Sequence, residues 1–376
     1  MTCPSFRPFL ARGRPLALAL ALAGAVLALA GAAPAAAAPA LLAPVALPEL
    51  PGALAGWTAG INASGLIVGT SNVARFLHAT AWRPAAGRYT AVDLNPPGAY
   101  VSRGNAVNAA GIVVGSADSH AEVWRPDIHG DYVPTALRTL LGDADSDSAL
   151  GIDPWGVVVG QTAAGGVAAH AVIWPPDRHG VYGAPIDLGA LPSNPSTSMA
   201  TAINGTGVIA GGSDNISSQP QAVIWRRGSG ASRAITPLAS IAGFGKALGI
   251  DSGGVVAGLT GRAGTSQPQP AVWRPATGGG YGAPSPLPAI AGGTPMLVRS
   301  ISPGGVVAGT TFVASSHTHG TVWVPDGHAG YTPVELGTLP HGTESDAAVT
   351  LAGLVAGSAD TGDLTSHPVM WRLGSR

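Results

Sequence analysis

Cysteine is nearly absent: Cys3 is the only one in 376 residues. It lies in a segment that reads as a removable leader, so the rest of the chain can form no internal disulfide and offers no cysteine nucleophile. Charge is scarce as well, at 10 % of residues against about 25 % in an ordinary soluble domain. There is no basic cluster, which argues against nucleic acid as a partner. No long stretch keeps a helical period, because Gly and Pro interrupt every candidate. After residue 40 no apolar run approaches the length needed to cross a bilayer.

The first 40 residues are different. Arg7, Arg12 and Arg14 precede an uncharged Leu- and Ala-rich run over residues 16–30, and small residues fill 32–40. Basic, apolar and small segments in that order are the parts of a secretory signal peptide. The expected organisation is therefore a leader over 1–40 and one domain over 41–376, secreted or periplasmic, with no membrane attachment once the leader is cut. An uncleaved anchor is the alternative for a run of this length. The formal charge is −1 for the whole chain, and loss of the three leader arginines takes it to about −4.

Glycine and proline are abundant, at 55 and 33 residues, a level that approaches low-complexity sequence. Their placement is periodic, which decides against disorder. Seven segments share one pattern: a small apolar pair, Asn or Asp, a turn, Gly, three apolar residues, Gly, a variable stretch, then a run ending in Trp. AGINASGLIVG and HATAW are one copy, LGIDPWGVVVG and HAVIW another. The motif tryptophans are Trp82, Trp124, Trp174, Trp225, Trp273, Trp323 and Trp371, spaced 42 to 51 residues apart. A period in this range marks a solenoid, a propeller or an array.

Each unit reads as four strands, with a tight turn at Asn or Asp and a proline-terminated third strand. Runs such as GVVVG and HAVIW lack polar alternation, so both faces must be covered. Radially stacked blades cover both faces, and the repeat length fits a propeller blade better than a β-solenoid coil. The last repeat lacks a fourth strand, whereas PVALPELP at 44–51 matches PVELGTLP at 333–340. The expectation is an all-β, seven-bladed β-propeller of four-stranded blades, closed by an N-terminal strand that removes the exposed edges. The motif tryptophans should be buried between blades, and the protein is expected to act as a monomer.

The pattern resembles the HAF repeat, a family of extracellular repeats named after His-Ala-Phe ahead of Trp. His78-Ala79, His120-Ala121 and His170-Ala171 carry the first two letters. Thr80, Glu122 and Val172 replace the Phe, and Gln221, Gln269, Pro270, Gly320 and Pro368 depart further. The resemblance runs from about Trp57 to the C-terminus. It implies export and a bacterial origin, and brings no reaction or catalytic residue with it.

Candidate chemistry is thin. Asp143, Asp145 and Asp147 alternate as at the start of a calcium loop, but Ser148 and Pro154 stand where an EF-hand needs Gly and Glu. A non-EF calcium site there is one reading and a solvated loop the default; no other cofactor is indicated. The residues four before each Trp, five His and two Gln, are expected to bond blade backbone rather than form a metal ring. Asp127/His129, Asp177/His179 and Asp326/His328 fit turn chemistry. No GxSxG elbow, Ser-x-x-Lys element or phosphate loop is present. The leading expectation is a non-catalytic exported binding or structural module taking a glycan or protein on its loop-rich face. The alternative is a propeller hydrolase or lyase acting on extracellular polysaccharide.

Overall fold

The computed structural model describes residues 42–140, 147–162, 168–192, 197–227, 233–265, 267–313, 317–362 and 365–374. Among the described residues, twenty-eight strands form seven four-stranded antiparallel sheets. Six sheets are continuous in sequence: blade 1 spans 53–93, blade 2 102–136, blade 3 148–187, blade 4 198–237, blade 5 245–286 and blade 6 294–335. Blade 7 takes three strands from 345–372 and its fourth from Val45–Ala46, which pair with Met370 and Val369. This is a seven-bladed β-propeller closed by an N-terminal strand.

No single core holds the ring. Seven hydrophobic clusters lie one at each seam, and each joins the leucine at the end of one blade's fourth strand to the next blade's motif tryptophan. Leu47 and Trp82 make the seam between blades 7 and 1, Leu94 and Trp124 the next. All seven motif tryptophans are 0 % exposed. Burying roughly 150–250 Å² of indole at about 25 cal/mol per Å² contributes on the order of 4–6 kcal/mol as an upper bound.

The seams also interlock through hydrogen bonds. Five indole N–H groups donate to the carbonyl just after that leucine: Trp82 to Pro48, Trp174 to Arg138, Trp273 to Ala239, Trp323 to Pro288 (2.7–2.8 Å) and Trp371 to Gly337 (3.1 Å). Each leucine N–H in turn donates to the residue three before its own blade's Trp, at Ala79, Ala121, Ala171, Ala222, Pro270, Gly320 and Pro368. The small or cyclic side chain at that position lets the fourth strand approach.

The second glycine of each repeat has an equally local cause. A Cβ at Gly69, Gly115, Gly160, Gly211, Gly258, Gly309 or Gly357 would lie 1.9–2.1 Å from a carbonyl oxygen of its own first strand. In every blade the first strand bulges within two residues of that carbonyl, as the register shifts at Thr58/Gly60, Gly104/Ala106 and Ala149/Gly151 show. A β-bulge inserts one unpaired residue and bends its strand. Here the extra residue faces the axis of the ring.

Proline fails to end the third strand in blade 1, where Pro84 lies inside it and pairs with Tyr89, whereas in blades 2 and 6 Pro126 and Pro325 are its last residues and pair with Tyr132 and Tyr331. The ladder with the second strand has already stopped at Trp82, Trp124 and Trp323, so on that side no N–H is required. Among the described residues, no helix is long and apolar enough to cross a membrane.

Candidate functional site

The position four before Trp does not chiefly bond backbone. His78 pairs through Nδ1 with Asp93 and His170 with Asp187, each at 2.8 Å; His319 pairs with Glu335 at 2.6 Å and His367 with Glu49 at 3.2 Å. In blades 1, 3 and 6 the acid comes from the end of the fourth strand; in blade 7 Ala46 holds that strand position and Glu49, three residues past the strand, supplies the carboxylate. Where Pro237 or Pro286 takes its place, Gln221 and Gln269 occupy the histidine position and donate to the carbonyls of Leu238 and Gly261. A side-chain acceptor suits an imidazole N–H, and its loss leaves only carbonyls, which an amide reaches.

Thr361 Oγ1 lies 3.5 Å from Nε2 of His367, which faces Glu49, a hydroxyl–imidazole–carboxylate order. That separation exceeds the ~3.2 Å reach of an activated nucleophile. The same His–carboxylate pair also recurs in blades 1, 3 and 6, so it belongs to blade construction.

Blade 2 departs from this scheme. Ala136 stands where the acid should be, and Glu122 lies directly opposite it on the third strand. Glu122 is 5 % exposed. Burial lifts its pKa to about 7, against the opposing pull of a backbone hydrogen bond at Thr135.

One face of the ring carries the short Asn/Asp turns between first and second strands and the hairpins after Trp, the other the longer connections between second and third strands and between blades. On the short-turn face, Asp127, Asp177 and Asp326 each accept two backbone N–H groups of their own hairpin, at His129 and Asp131, His179 and Val181, His328 and Gly330. These are turn builders. Of the aspartate triplet, Asp143 and Asp145 lie outside the described residues. Asp147 is buried, and its N–H donates to Ser119. Among the described residues no group of three His, Cys, Asp or Glu is placed to hold a metal ion.

The same face carries latches that the repeat pattern did not announce. Arg83, Arg125, Arg226 and Arg274 stack on Tyr132, Tyr182, Tyr281 and Tyr331 of the following blade, 5.0–5.5 Å from the ring centroids. Nearer the axis, Asn62 donates to the Asn108 carbonyl, Asn108 to Asp153 and Asn204 to Asp251, while each Asn Oδ1 caps its own turn. Burial raises the pKa of Asp153 and Asp251 above the usual carboxylate range, against several backbone N–H bonds. A signal was available: a tyrosine recurs in the hairpin after Trp in five repeats.

The seven first strands enclose a central cavity of about 1250 Å³. On the short-turn side its wall is a ring of apolar side chains, Ile61, Val107, Ile152, Ile203, Ile250 and Ile301, completed by Thr350. Next come the seven bulge residues. Ala59, Leu150, Leu248 and Ala348 on the odd blades are apolar; Asn105, Thr201 and Arg299 on the even blades are polar. Each polar one reaches the following blade: Asn105 the Ala149 carbonyl at 2.8 Å, Thr201 the Ala247 carbonyl at 3.0 Å, Arg299 the Asp346 carboxylate at 2.7 Å.

Toward the loop-rich mouth, the ring position above the bulge holds Trp57, Arg103, Ser148, Met199, Lys246, Leu297 and Asp346 from blades 1 to 7. Trp57, Met199 and Asp346 line the cavity, together with Thr318, Glu344, Ser358 and Ser366. No two neighbours in this ring share a chemical type.

No family model matches the chain, and no curated protein does. Solved structures do. Virginiamycin B lyase from Staphylococcus aureus is 12 % identical with a TM-score of 0.44, over 88 % of this chain and 99 % of that one. The gluconolactonase XC5397 from Xanthomonas campestris is 13 % identical at 0.39, over 90 % and 98 %. TolB from Acinetobacter baumannii is 14 % identical at 0.42; the match takes in 69 % of this chain and spans only 60 % of TolB's length. Overlaps this shallow carry no argument about activity.

Proposed function

We propose that this protein is an exported binding module of the HAF-repeat kind, and that its ligand seats in the loop-rich mouth of the central channel. One observation carries the reading. The seams repeat the same Leu–Trp pairing seven times, whereas the mouth ring does not repeat at all. Repetition is what packing selects. Departure from it, at a concave site lined by a few polar groups on rigid strands, is what recognition selects. The order of basic, apolar and small segments in the first 40 residues supports export.

The test uses the mature chain in a binding screen against glycans and proteins, read by titration calorimetry, with Trp57→Ala as the variant. The expected outcome is a ligand whose affinity falls at least about tenfold in Trp57→Ala, the scale of one well-placed aromatic anchor. A ligand bound equally well by Trp57→Ala would move the site away from the channel. N-terminal sequencing of protein from its host should begin between Ala33 and Leu42; an intact Met1 on exported protein overturns the leader.

A further inference from the structure

The channel mouth is lopsided. In blades 1 to 5 only the first strands and the turns after them reach the cavity, but blade 7 adds Ser358, Asp360 and Ser366 from its second and third strands, and blade 6 adds Thr318 from its third. Trp57 lies beside this widening. A Cβ at Gly56 would come within 3.1 Å of the Pro368 ring, and Pro368 pairs with Ser358. The charges there are unbalanced. Among the described residues Arg299 is the lining cation, set against Glu344, Asp346 and Asp360. It is spent on Asp346, donating from Nε at 3.0 Å and Nη2 at 2.7 Å to Oδ2. Asp360 accepts the backbone N–H groups of Thr343 and Glu344, which orient its carboxylate without removing its charge. Arg103 and Lys246 stand at the same height of the ring but do not line the cavity. An anionic ligand would meet uncompensated carboxylates.

Five hydrogen-bonding side chains of this mouth are open. The hydroxyls of Thr318, Ser358 and Ser366, the Glu344 carboxylate and the Trp57 indole N–H have no partner among the described residues, and all five residues are partly buried around one cavity. Their demands differ. An ionised carboxylate only accepts, an indole N–H only donates, and a hydroxyl does both. An ammonium ligand meets Glu344 and fails the indole; a carboxylate or sulfate meets the indole and fails Glu344. A ligand rich in hydroxyls meets all of them. Trp57 adds an apolar face beside its polar edge. A pyranose ring has the matching form, with a C–H face and a rim of hydroxyls. Peptide amides also donate and accept, but they offer no such face. A cavity of about 1250 Å³ exceeds the ~300–1,000 Å³ that holds a single drug-sized ligand, so several linked rings fit.

We infer that the widened mouth binds a neutral oligosaccharide, with one sugar ring on the Trp57 indole and sugar hydroxyls bonded to Glu344, Thr318, Ser358 and Ser366. This rests on the channel-mouth reading above and assigns its ligand class. A sugar hydroxyl donating to the Glu344 carboxylate makes a charge-assisted hydrogen bond, the stronger kind. The same carboxylate, with Asp360 nearby in the lining, repels uronate and sulfate groups, so it selects as well as binds.

The experiment titrates the mature protein with the neutral hexamers of glucose, galactose and mannose, a galacturonic acid hexamer, a glucosamine hexamer and a capped neutral hexapeptide. The expected result is one neutral hexamer bound at least about tenfold tighter than both charged hexamers and the peptide. Its affinity should change less than about twofold between about 0.05 and 0.5 M salt, since no ligand charge is there to be screened. Glu344→Gln should weaken neutral binding about tenfold, the scale of one charged hydrogen bond, and narrow the margin over the galacturonic acid hexamer. Ser358→Ala and Ser366→Ala should each cost about 2–10-fold. Three outcomes would overturn the inference: no neutral hexamer binds, a charged hexamer or the peptide binds as tightly as the best neutral one, or Glu344→Gln changes neither affinity nor margin. Trp57→Ala separates the two levels. If it abolishes binding of a preferred charged hexamer or of the peptide, only the ligand class fails; if it leaves binding of the preferred ligand intact, the channel-mouth reading fails with it.

Discussion

The seams and the channel wall are built by the same seven repeats, yet they obey opposite rules. At the seams every blade presents the same leucine, tryptophan and small residue, and the same backbone bonds recur. On the wall, the first strands keep their bulge and a floor that is Ile or Val in six blades and Thr350 in the seventh, but differ from blade to blade above it. A seam must fit two blades at once, so a change there disturbs packing on both sides. A side chain at the bulge or above it faces the open channel. Although Asn105, Thr201, Arg299 and Asp346 bond a neighbouring blade, none has to fit between two packed sheets, so the position can vary without disturbing a seam. Stability and recognition thus occupy different radii of one ring.

The comparison breaks most visibly at a seam tryptophan. Trp174→Ala empties a fully buried site and leaves the Arg138 carbonyl without its donor; it should cost about 3–5 kcal/mol in chemical denaturation. Trp57→Ala, on the wall, should shift the same midpoint by less than ~1 kcal/mol. Equal costs would mean that the two radii are not energetically distinct.

Glu122 sharpens the comparison, because it is a seam position that fails to follow the rule. Its folded pKa of about 7 lies above the ordinary value of 4.5. Between those values the folded protein keeps a proton that the unfolded chain has released, so stability falls as pH rises through this window. Below it both states are protonated and nothing is lost; above it the full cost of a buried charge is felt. Glu122→Gln should therefore raise stability at pH 8 by ~1–3 kcal/mol and leave it unchanged near pH 4, read as melting temperature against pH. The smallest effect belongs to the cation–π latches. Arg125→Ala removes a ring contact and a hydrogen bond to Gly180 and should cost about 0.5–1.5 kcal/mol in the same assay.

Much of the fold was legible because its determinants are periodic. Trp spacing, paired glycines and the spare strand at 44–51 are repeated or complementary signals, and repetition averages out local noise. The channel was not legible for the same reason. Trp57, Arg103, Lys246 and Arg299 are deviations from the repeat, and aligning repeats discards deviations. The bulge was hidden because it is a register shift with no residue of its own; only the glycine facing it hinted that two backbones come close. The histidine partners were missed because the acid lies 15 to 17 residues away in three blades and, in the fourth, near the other end of the chain.

That last separation bears on how the molecule assembles. Blades 1 to 6 are local in sequence, and each can form and stack on its predecessor much as units of a linear array do. Blade 7 cannot. Its outer strand, Val45–Ala46, is nearly a full chain length from Met370, and joining ends so distant costs about 5 kcal/mol of loop entropy. Closing the ring thus requires the meeting of the oldest and newest parts of the chain. Once it occurs the array has no first or last member, and a blade that loosens at one seam is still held at the other.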